Sequence, residues 1–300
     1  MQSKKILLNN GFSVTNLCFG TGITYGEPST KERINHFFHI GSINEKQYKK
    51  NIGLSSVIDV AMNNGCCMFD TSRAYGMSEK TLGNTLKKYK RQDYTIVTKV
   101  CNGDQYKKNI RDAFEKSLKE LQMEYIDIYL FHWPVENYFL DTWKQMEKIY
   151  EEGLCKAIGV CNCNIHHLDA IFNQSNIKPA INEFECHPLF TQNELRDFCK
   201  KNQIQVMAYT STARSDERLK KTILVPLAKK YNKSITQIIL RWHQQIGNIP
   251  IVNTTSVNHM LQNTQLLDFD LSDEEIQCIT MININSRLRY DPDNCDFKQL

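Results

Sequence analysis

The sequence lacks a strong excess of either charge, a long apolar run near its start, a glycine-rich nucleotide loop and a linker. Its 37 basic and 33 acidic residues leave a net charge of +4, too small a field to recruit nucleic acid or a membrane surface by itself. The lysine pairs Lys87-Lys88 and Lys107-Lys108 fit solvated helix faces. Near the N-terminus the apolar run is only Ile6-Leu7-Leu8, too short for a signal peptide or a membrane span. A soluble cytoplasmic protein is the expectation. The eleven cysteines are scattered through apolar runs (Cys66, Cys67, Cys186, Cys199, Cys278) of a chain far larger than a disulfide miniprotein, so reduced, mostly buried thiols are expected. In the stretch CNCNIHH, Cys161 to His167, cysteine and histidine stand close together. The spacing is that of no standard zinc finger or ribbon, and no second half-site lies nearby. No metal is expected there, and Asn164 reads as the cap of a helix carrying His166 and His167.

What is present is ordinary globular composition, 41% hydrophobic and 23% charged, enough to bury a substantial core. A chain of 300 residues could form two domains or one α/β barrel, and the order of the patterns decides. Ile6 to Gly20 alternates around Asn9-Asn10-Gly11, the pattern of a hairpin followed by a strand. Residues 23–53 are polar and irregular, with Phe37 and Phe38 in their one aromatic cluster. A loop that long is expected to be a lid, a binding loop or a mobile segment, and of these a substrate lid is the expectation. Beyond it, strands are expected at 67–70, 94–99, 126–132, 157–160, 180–184, 205–210 and 248–252. Helical stripes alternate with them at 55–64, 78–89, 110–121, 140–152, 166–172, 193–201, 234–244 and 259–263, with a further helix at 272–282. That order predicts a parallel sheet closed into a (β/α)8 TIM barrel with an N-terminal β-hairpin and an extra C-terminal helix, one domain over residues 1–300. No glycine-rich dinucleotide fingerprint follows any strand, which weakens the alternative of an open doubly wound sheet.

Barrels of this kind keep their chemistry at the C-terminal ends of the strands. Asp70, Lys99 and His132 end three consecutive expected strands, and Tyr75 follows the first of them in FDTSRAYGMSE, Phe69 to Glu79. An aspartate at a strand end is by itself more often a turn former or a helix cap. Four ionisable side chains converging on one mouth are another matter. A free phenol titrates near 10, too high to donate a proton readily at neutral pH. Lys99 as an ammonium beside Tyr75 would favour the phenolate, Asp70 would hold Lys99 charged, and His132 could hydrogen-bond a carbonyl and aim it.

At these residues the chain resembles the aldo-keto reductases. FDTSRAYGMSE resembles the family's first signature, VTKV its lysine strand and YLFHWP its histidine segment. KAIGVCNCNIHHL, INEFECHP and IPIVNTT with HMLQN resemble its later motifs in the right order, from about Ile6 to Arg287. The resemblance implies a barrel that binds a reduced nicotinamide cofactor, NADPH or NADH, and reduces a small aldehyde or ketone, with Tyr75 as proton donor. It implies Asp70, Tyr75, Lys99 and His132 as catalytic residues, with Trp133 and Tyr25 against the substrate. The cofactor contacts it implies are Gly20, Thr21, Cys161, Asn162, Glu183, Tyr209, Thr210, Asn253, Thr254, His259 and Asn263, with Tyr209 as the platform for the nicotinamide ring. Family members that reduce carbon–carbon double bonds carry glutamate at the histidine position, so His132 points to carbonyl reduction. The implied assembly is a monomer or weak dimer, and the substrate is left to the variable loops 23–53 and 212–221.

Three departures concern the cofactor. Cys161 stands where the family has serine, and Glu183 where it has glutamine. A thiol is a poor donor and an ionised carboxylate only accepts, although a carboxamide could still give its NH2 to Glu183. Asn253 and His259 replace the lysine and arginine that pair with the 2′-phosphate, removing charge-assisted bonds worth roughly 1.5–3 kcal/mol each. Weak selectivity for NADPH, with NADH serving as well or better, is therefore expected. The competing reading is a catalytically retired barrel acting as a nucleotide-sensing structural or regulatory subunit. The altered cofactor positions favour it, and the intact Asp70, Tyr75, Lys99 and His132 oppose it.

Overall fold

Short apolar runs with packed side chains inside and helices outside have both faces buried, and a closed ring of parallel strands is the arrangement that satisfies them. The computed structural model describes residues 4–22 and 45–294, and of 45–53 the backbone alone. Strands β1 (Lys5–Leu7) and β2 (Ser13–Thr15) form the antiparallel N-terminal hairpin, with Ile6 opposite Val14. The barrel strands are β3 (Cys18–Gly20), β4 (Met68–Asp70), β5 (Thr95–Val100), β6 (Ile126–Phe131), β7 (Cys155–Cys161), β8 (Ile181–Glu185), β9 (Gln205–Tyr209) and β10 (Ile249–Val252). They pair in chain order, and β10 returns to β3 in parallel to close the ring, so the barrel has no open edge.

Inside the ring Met68, Val97, Ile128, Leu130, Met207 and Ile249 pack together with Leu8 and Val14 of the hairpin. Asn9 and Asn10 donate to the carbonyls of Pro179 and Lys156, near the starts of β8 and β7. The hairpin therefore plugs the N-terminal end of the barrel and leaves the other end for chemistry. Outside, Phe19, Phe69, Ile96, Tyr129 and Phe131 meet the helices.

The helices are α1 (Glu45–Asn63), α2 (Ser78–Leu86), α3 (Asn102–Tyr106), α4 (Ile110–Leu121), α5 (Phe139–Glu151), α6 (Ile165–Phe172), α7 (Asn193–Lys201), α8 (Leu224–Tyr231), α9 (Ile235–Gln245), α10 (Val257–Thr264) and the C-terminal α11 (Asp273–Thr280). Helix α4 buries Ile110, Ala113, Phe114, Ser117 and Leu121, one stripe of a 3.6-residue period, and ends where Gln122 turns left-handed at φ 58°. Capping boxes start α9 at Ser234 with Gln237 and α11 at Ser272 with Glu275.

Three segments differ from the sequence expectation, the short α3 being one for which no helix was expected. Helix α1 begins at Glu45, well before Ser55, so the stretch expected to be irregular to residue 53 is helical from 45. Tyr25, Phe37 and Phe38 lie outside the described residues. Helix α8 has no counterpart among the expected helices; its Pro226 falls in the first turn, where no intrahelical N–H bond is lost.

After α11 the chain runs back over the C-terminal mouth. The Ile284 and Ser286 N–H groups donate to the Leu189 carbonyl, and those of Leu288 and Arg289 donate to the buried Glu185 carboxylate at 2.7 and 3.0 Å. The ten cysteines among the described residues are free thiols, and seven of them are buried. No described helix is long and apolar enough to cross a membrane.

Candidate functional site

Strand register brings the ionisable residues to one level. Asp70, the last residue of β4, lies opposite Gly20, and Lys99 opposite Leu130 of β6; His132 follows β6 directly. Tyr75 sits in the turn before α2, its N–H bonded to the Ser72 carbonyl at 2.9 Å. Asp70, Tyr75, His132 and Trp133 line one cavity of about 890 Å³ at this mouth, within the size range of small-molecule sites.

Lys99 is fully buried beneath them. Its ammonium donates to the Asp70 carboxylate and, at 3.1 Å, to the Thr71 carbonyl, and pairs with Glu183 Oε1 at 3.2 Å. Burial works against its charge, but Asp70 and Glu183 outweigh burial and hold it protonated well above the ordinary lysine range. The ammonium lies 5.6 Å from the centroid of the Tyr75 ring. Burial raises the Tyr75 phenol, Lys99 lowers it, and Asp70 and Glu183 raise it again. A Cβ on Gly22 would sit 3.1 Å from the Tyr75 ring, so the absent side chain makes room for the tyrosine.

His132 packs edge-on against Tyr75 with ring centroids 5.5 Å apart. Its Nδ1 is 3.2 Å from Ser72 Oγ, and Ser72 Oγ also accepts the Ala74 N–H at 3.1 Å. A hydroxyl hydrogen directed at Nδ1 leaves the ring hydrogen on Nε2. Burial first, then Lys99 and Arg289, push the imidazole down to about 3. His243, buried between Ser211 and Asn248, is also pushed to about 3 by burial. Both histidines are neutral in the folded chain and take up a proton when it unfolds below their ordinary 6.5. Their contribution to stability is complete above that value and declines as pH falls from 6.5 toward 3, because the unfolded chain binds more protons in that window. His167, lowered by burial to about 4, adds a third such proton, while Glu183, raised by burial to about 8, takes one up in the folded chain over the same window and offsets one of them. Urea titrations at pH values from about 7 down to 5 should therefore show stability falling by up to about 2.7 kcal/mol per pH unit, and a stability that rises over that range would contradict the assignment.

The opposite wall holds the positions named for the cofactor. Cys161, Asn162, Glu183, Tyr209, Thr210, Asn253, Thr254, His259 and Asn263 line the same cavity, with Gly20. Thr21 does not: it is fully buried, donates to the Asp70 carbonyl at 2.8 Å and bonds Ser78 Oγ at 2.5 Å. Asn162 is turned inward, donating to the His132 carbonyl at 3.0 Å and accepting the Tyr209 hydroxyl at 2.5 Å. Glu183 Oε2 is buried and has no hydrogen-bond partner among the described residues. Thr210 has φ +51°, a costly conformation for a β-branched residue and one that clusters at functional sites. The donor set fits a nicotinamide dinucleotide: an orphaned acceptor on Glu183, the Tyr209 ring beside it, and small polar residues toward α10.

Residues not singled out in the sequence also line the cavity, among them Gly22, Arg214, Ser215, Gln262, Arg289 and Tyr290. Arg214 follows no motif, and Arg289 reaches the mouth only because Glu185 anchors the tail. Tyr25 falls outside the described residues.

The stretch CNCNIHH is split by the fold. Cys161 and Cys163 are buried, whereas His166 and His167 face Asp293 at 3.2 and 3.8 Å. His167 Nδ1 accepts the Asn164 N–H at 3.1 Å, as expected of a cap, so the neutral ring carries its hydrogen on Nε2, toward the carboxylate. A ligating nitrogen would have to be bare, with the other ring nitrogen donating. The cluster ties the tail to α6.

The family model "Aldo/keto reductase family" matches residues 38–284. The chain is 38% identical over 242 residues to a glyoxal reductase of Bacillus subtilis, covering 80% of this chain and 87% of the relative. It is 36% identical over 243 residues to the methylglyoxal reductase DkgA of Salmonella typhimurium, covering 79% and 87%. A Bombyx mori aldo-keto reductase crystallised in complex with NADP superposes with a TM-score of 0.83 at 28% identity, over 98% of this chain and 97% of that one. Eight parallel strands closed into a ring agree with that match over most of the length, and the chain belongs to the aldo/keto reductase family.

Proposed function

We propose that the chain is a single-domain, NAD(P)H-dependent carbonyl reductase that converts a small aldehyde or ketone to the alcohol. The observation that carries this reading is the meeting of Asp70, Tyr75 and His132 in one cavity, with buried Lys99 paired to Asp70. Relatives named for glyoxal and methylglyoxal reduction support a short, reactive carbonyl compound as substrate class.

The His132 Nε2–H donates to the carbonyl oxygen and Trp133 walls the pocket beside it. Tyr75 gives its phenolic proton to that oxygen, and the phenolate that results is stabilised by the Lys99 ammonium, which Asp70 keeps charged. A bound reduced nicotinamide supplies the hydride. Glu183, with Cys161 and Asn162, would hold its carboxamide and Tyr209 would offer a surface for its ring; Gly20 and Thr210 would shape this end, with Thr21 supporting it from behind through Asp70, and Asn253, Thr254, His259 and Asn263 would serve the adenosine end. The test is turnover of methylglyoxal and simple aldehydes with either cofactor; no turnover of any carbonyl alongside tight nucleotide binding would favour the retired barrel.

Ser72 acts through His132. Ser72→Ala removes the hydroxyl that fixes the Nε2–H tautomer, so kcat/KM for the carbonyl should fall by about tenfold, the worth of one net hydrogen bond, with cofactor affinity retained. Steady-state kinetics beside a cofactor titration check this, and unchanged kcat/KM would remove Ser72 from the role.

A further inference from the structure

We propose that Glu183 keeps Tyr75 in its protonated, proton-donating form to higher pH than an amide at that position would, extending carbonyl reduction into the alkaline range. The inference rests on the reading of Tyr75 as proton donor and goes beyond it, because it gives the exchanged side chain a part in proton handling besides any contact with the cofactor.

The geometry is that of one cation between two carboxyl groups. Lys99 Nζ is bonded to Asp70 on one side and lies 3.2 Å from Glu183 Oε1 on the other. All three side chains are buried, so their charges act through little water and the balance among them is stiff. A glutamine here would leave the ammonium to Asp70 and Tyr75. A glutamate competes with the phenolate for the same positive charge.

The groups facing this cluster are few. Cys18 comes from β3, Asp70 from β4 with Tyr75 in the turn behind it, Lys99 from β5, His132 from the end of β6, Cys161 from β7 and Tyr209 from β9. Both thiols and the Tyr209 phenol are raised by burial, and His132 is neutral. Among the described residues Lys99 is thus the one buried cation of the cluster, with Asp70 and Glu183 as its carboxyl groups; exposed Arg289 and buried Glu185 act from the rim on Tyr209, and Arg289 also on His132. Burial, followed by Asp70, pushes Glu183 up to about 8. Below that pH the carboxyl is neutral and stands in for an amide. Above it a second negative charge appears beside Lys99, before Tyr75, which burial holds above the ordinary phenol value, loses its proton. The sign is fixed: ionised Glu183 opposes formation of the phenolate, and Tyr75 remains an acid.

The consequence has a balanced form. In reduction the proton passes from the Tyr75 oxygen to the substrate oxygen as hydride reaches the carbonyl carbon. In the reverse direction the alcohol proton returns to the phenolate and hydride leaves to the oxidised nicotinamide. Raising the pH at which Tyr75 ionises moves the alkaline fall of reduction and the alkaline plateau of oxidation together and leaves the overall equilibrium unchanged.

The experiment is a near-ultraviolet tyrosinate titration of cofactor-free protein, with the Tyr75→Phe variant subtracted to isolate Tyr75. In Glu183→Gln the Tyr75 midpoint should fall by about one pH unit or more, and the alkaline limb of kcat/KM for reduction should move down with it. Glu183→Met, uncharged and of similar volume, should give the same displacement and covers a failure of the glutamine variant to fold. A Tyr75 midpoint that stays in place in a folded variant overturns the inference. The titration needs neither substrate nor cofactor, so its outcome is separate from whether the proposed carbonyl reduction is found.

Discussion

Replacing Tyr75 with phenylalanine is expected to lower kcat for reduction of a small aldehyde by about 10²–10⁴-fold, the range supplied by a positioned general acid, with cofactor affinity unchanged. The ring would stay where it is, because Gly22 leaves space for it and His132 packs against it at 5.5 Å between centroids. Only the hydroxyl is lost, and with it the proton for the substrate oxygen. Lys99 and Asp70 would remain paired, since their bond does not pass through the tyrosine. Hydride arriving at the carbonyl would then create an alkoxide with no acid at hand apart from water. Stopped-flow or steady-state rates with methylglyoxal measure the loss, and a fluorescence titration of the cofactor measures what should not change. A variant that turns over as the parent does would take Tyr75 out of the mechanism.

The second large effect lies at the other end of the cavity. Restoring cations with Asn253→Lys and His259→Arg together should strengthen NADPH binding by about a hundredfold or more and leave NADH almost unaffected. Each charge-assisted bond to a phosphate contributes roughly 1.5–3 kcal/mol, and two at the lower figure amount to about two factors of ten. Asn253 and His259 are exposed and line the same cavity as the Tyr75 mouth, so a long cation at either place would meet the 2′-phosphate side of a dinucleotide without disturbing packing. For the unaltered chain, comparable dissociation constants for the two cofactors are expected. A preference of the parent for NADPH by a hundredfold would mean that another cation serves the phosphate. Arg214, exposed at the rim, is then the residue to exchange.

Much of this was legible in the chain before folding. Alternating strand and helix patterns required a closed parallel barrel, because each strand is apolar on both faces and each helix on one stripe. The hairpin around Asn9-Asn10-Gly11 was visible in turn chemistry, which is local, and the C-terminal helix from Ser272 in its own local pattern. Asp70, Tyr75, Lys99 and His132 could be named because family motifs keep them at strand ends, and strand ends are positions a sequence can mark. The start of α1 and the existence of α3 and α8 were less legible: the first lies in a polar stretch with a weak stripe, and the other two are too short to show a stripe of their own.

What the sequence determined by itself was the barrel, its N-terminal hairpin, and most of the residues at the open mouth. Tertiary structure alone decided how those residues divide one positive charge. Whether Glu183 meets Lys99, whether Ser72 bonds His132, whether Thr21 turns to Asp70 or to the cavity, and whether Arg289 reaches the rim depend on distances of a few ångströms between segments far apart in the chain. Coulombic and hydrogen-bond energies change steeply over such distances in a buried site, and no periodicity or spacing in the sequence encodes them.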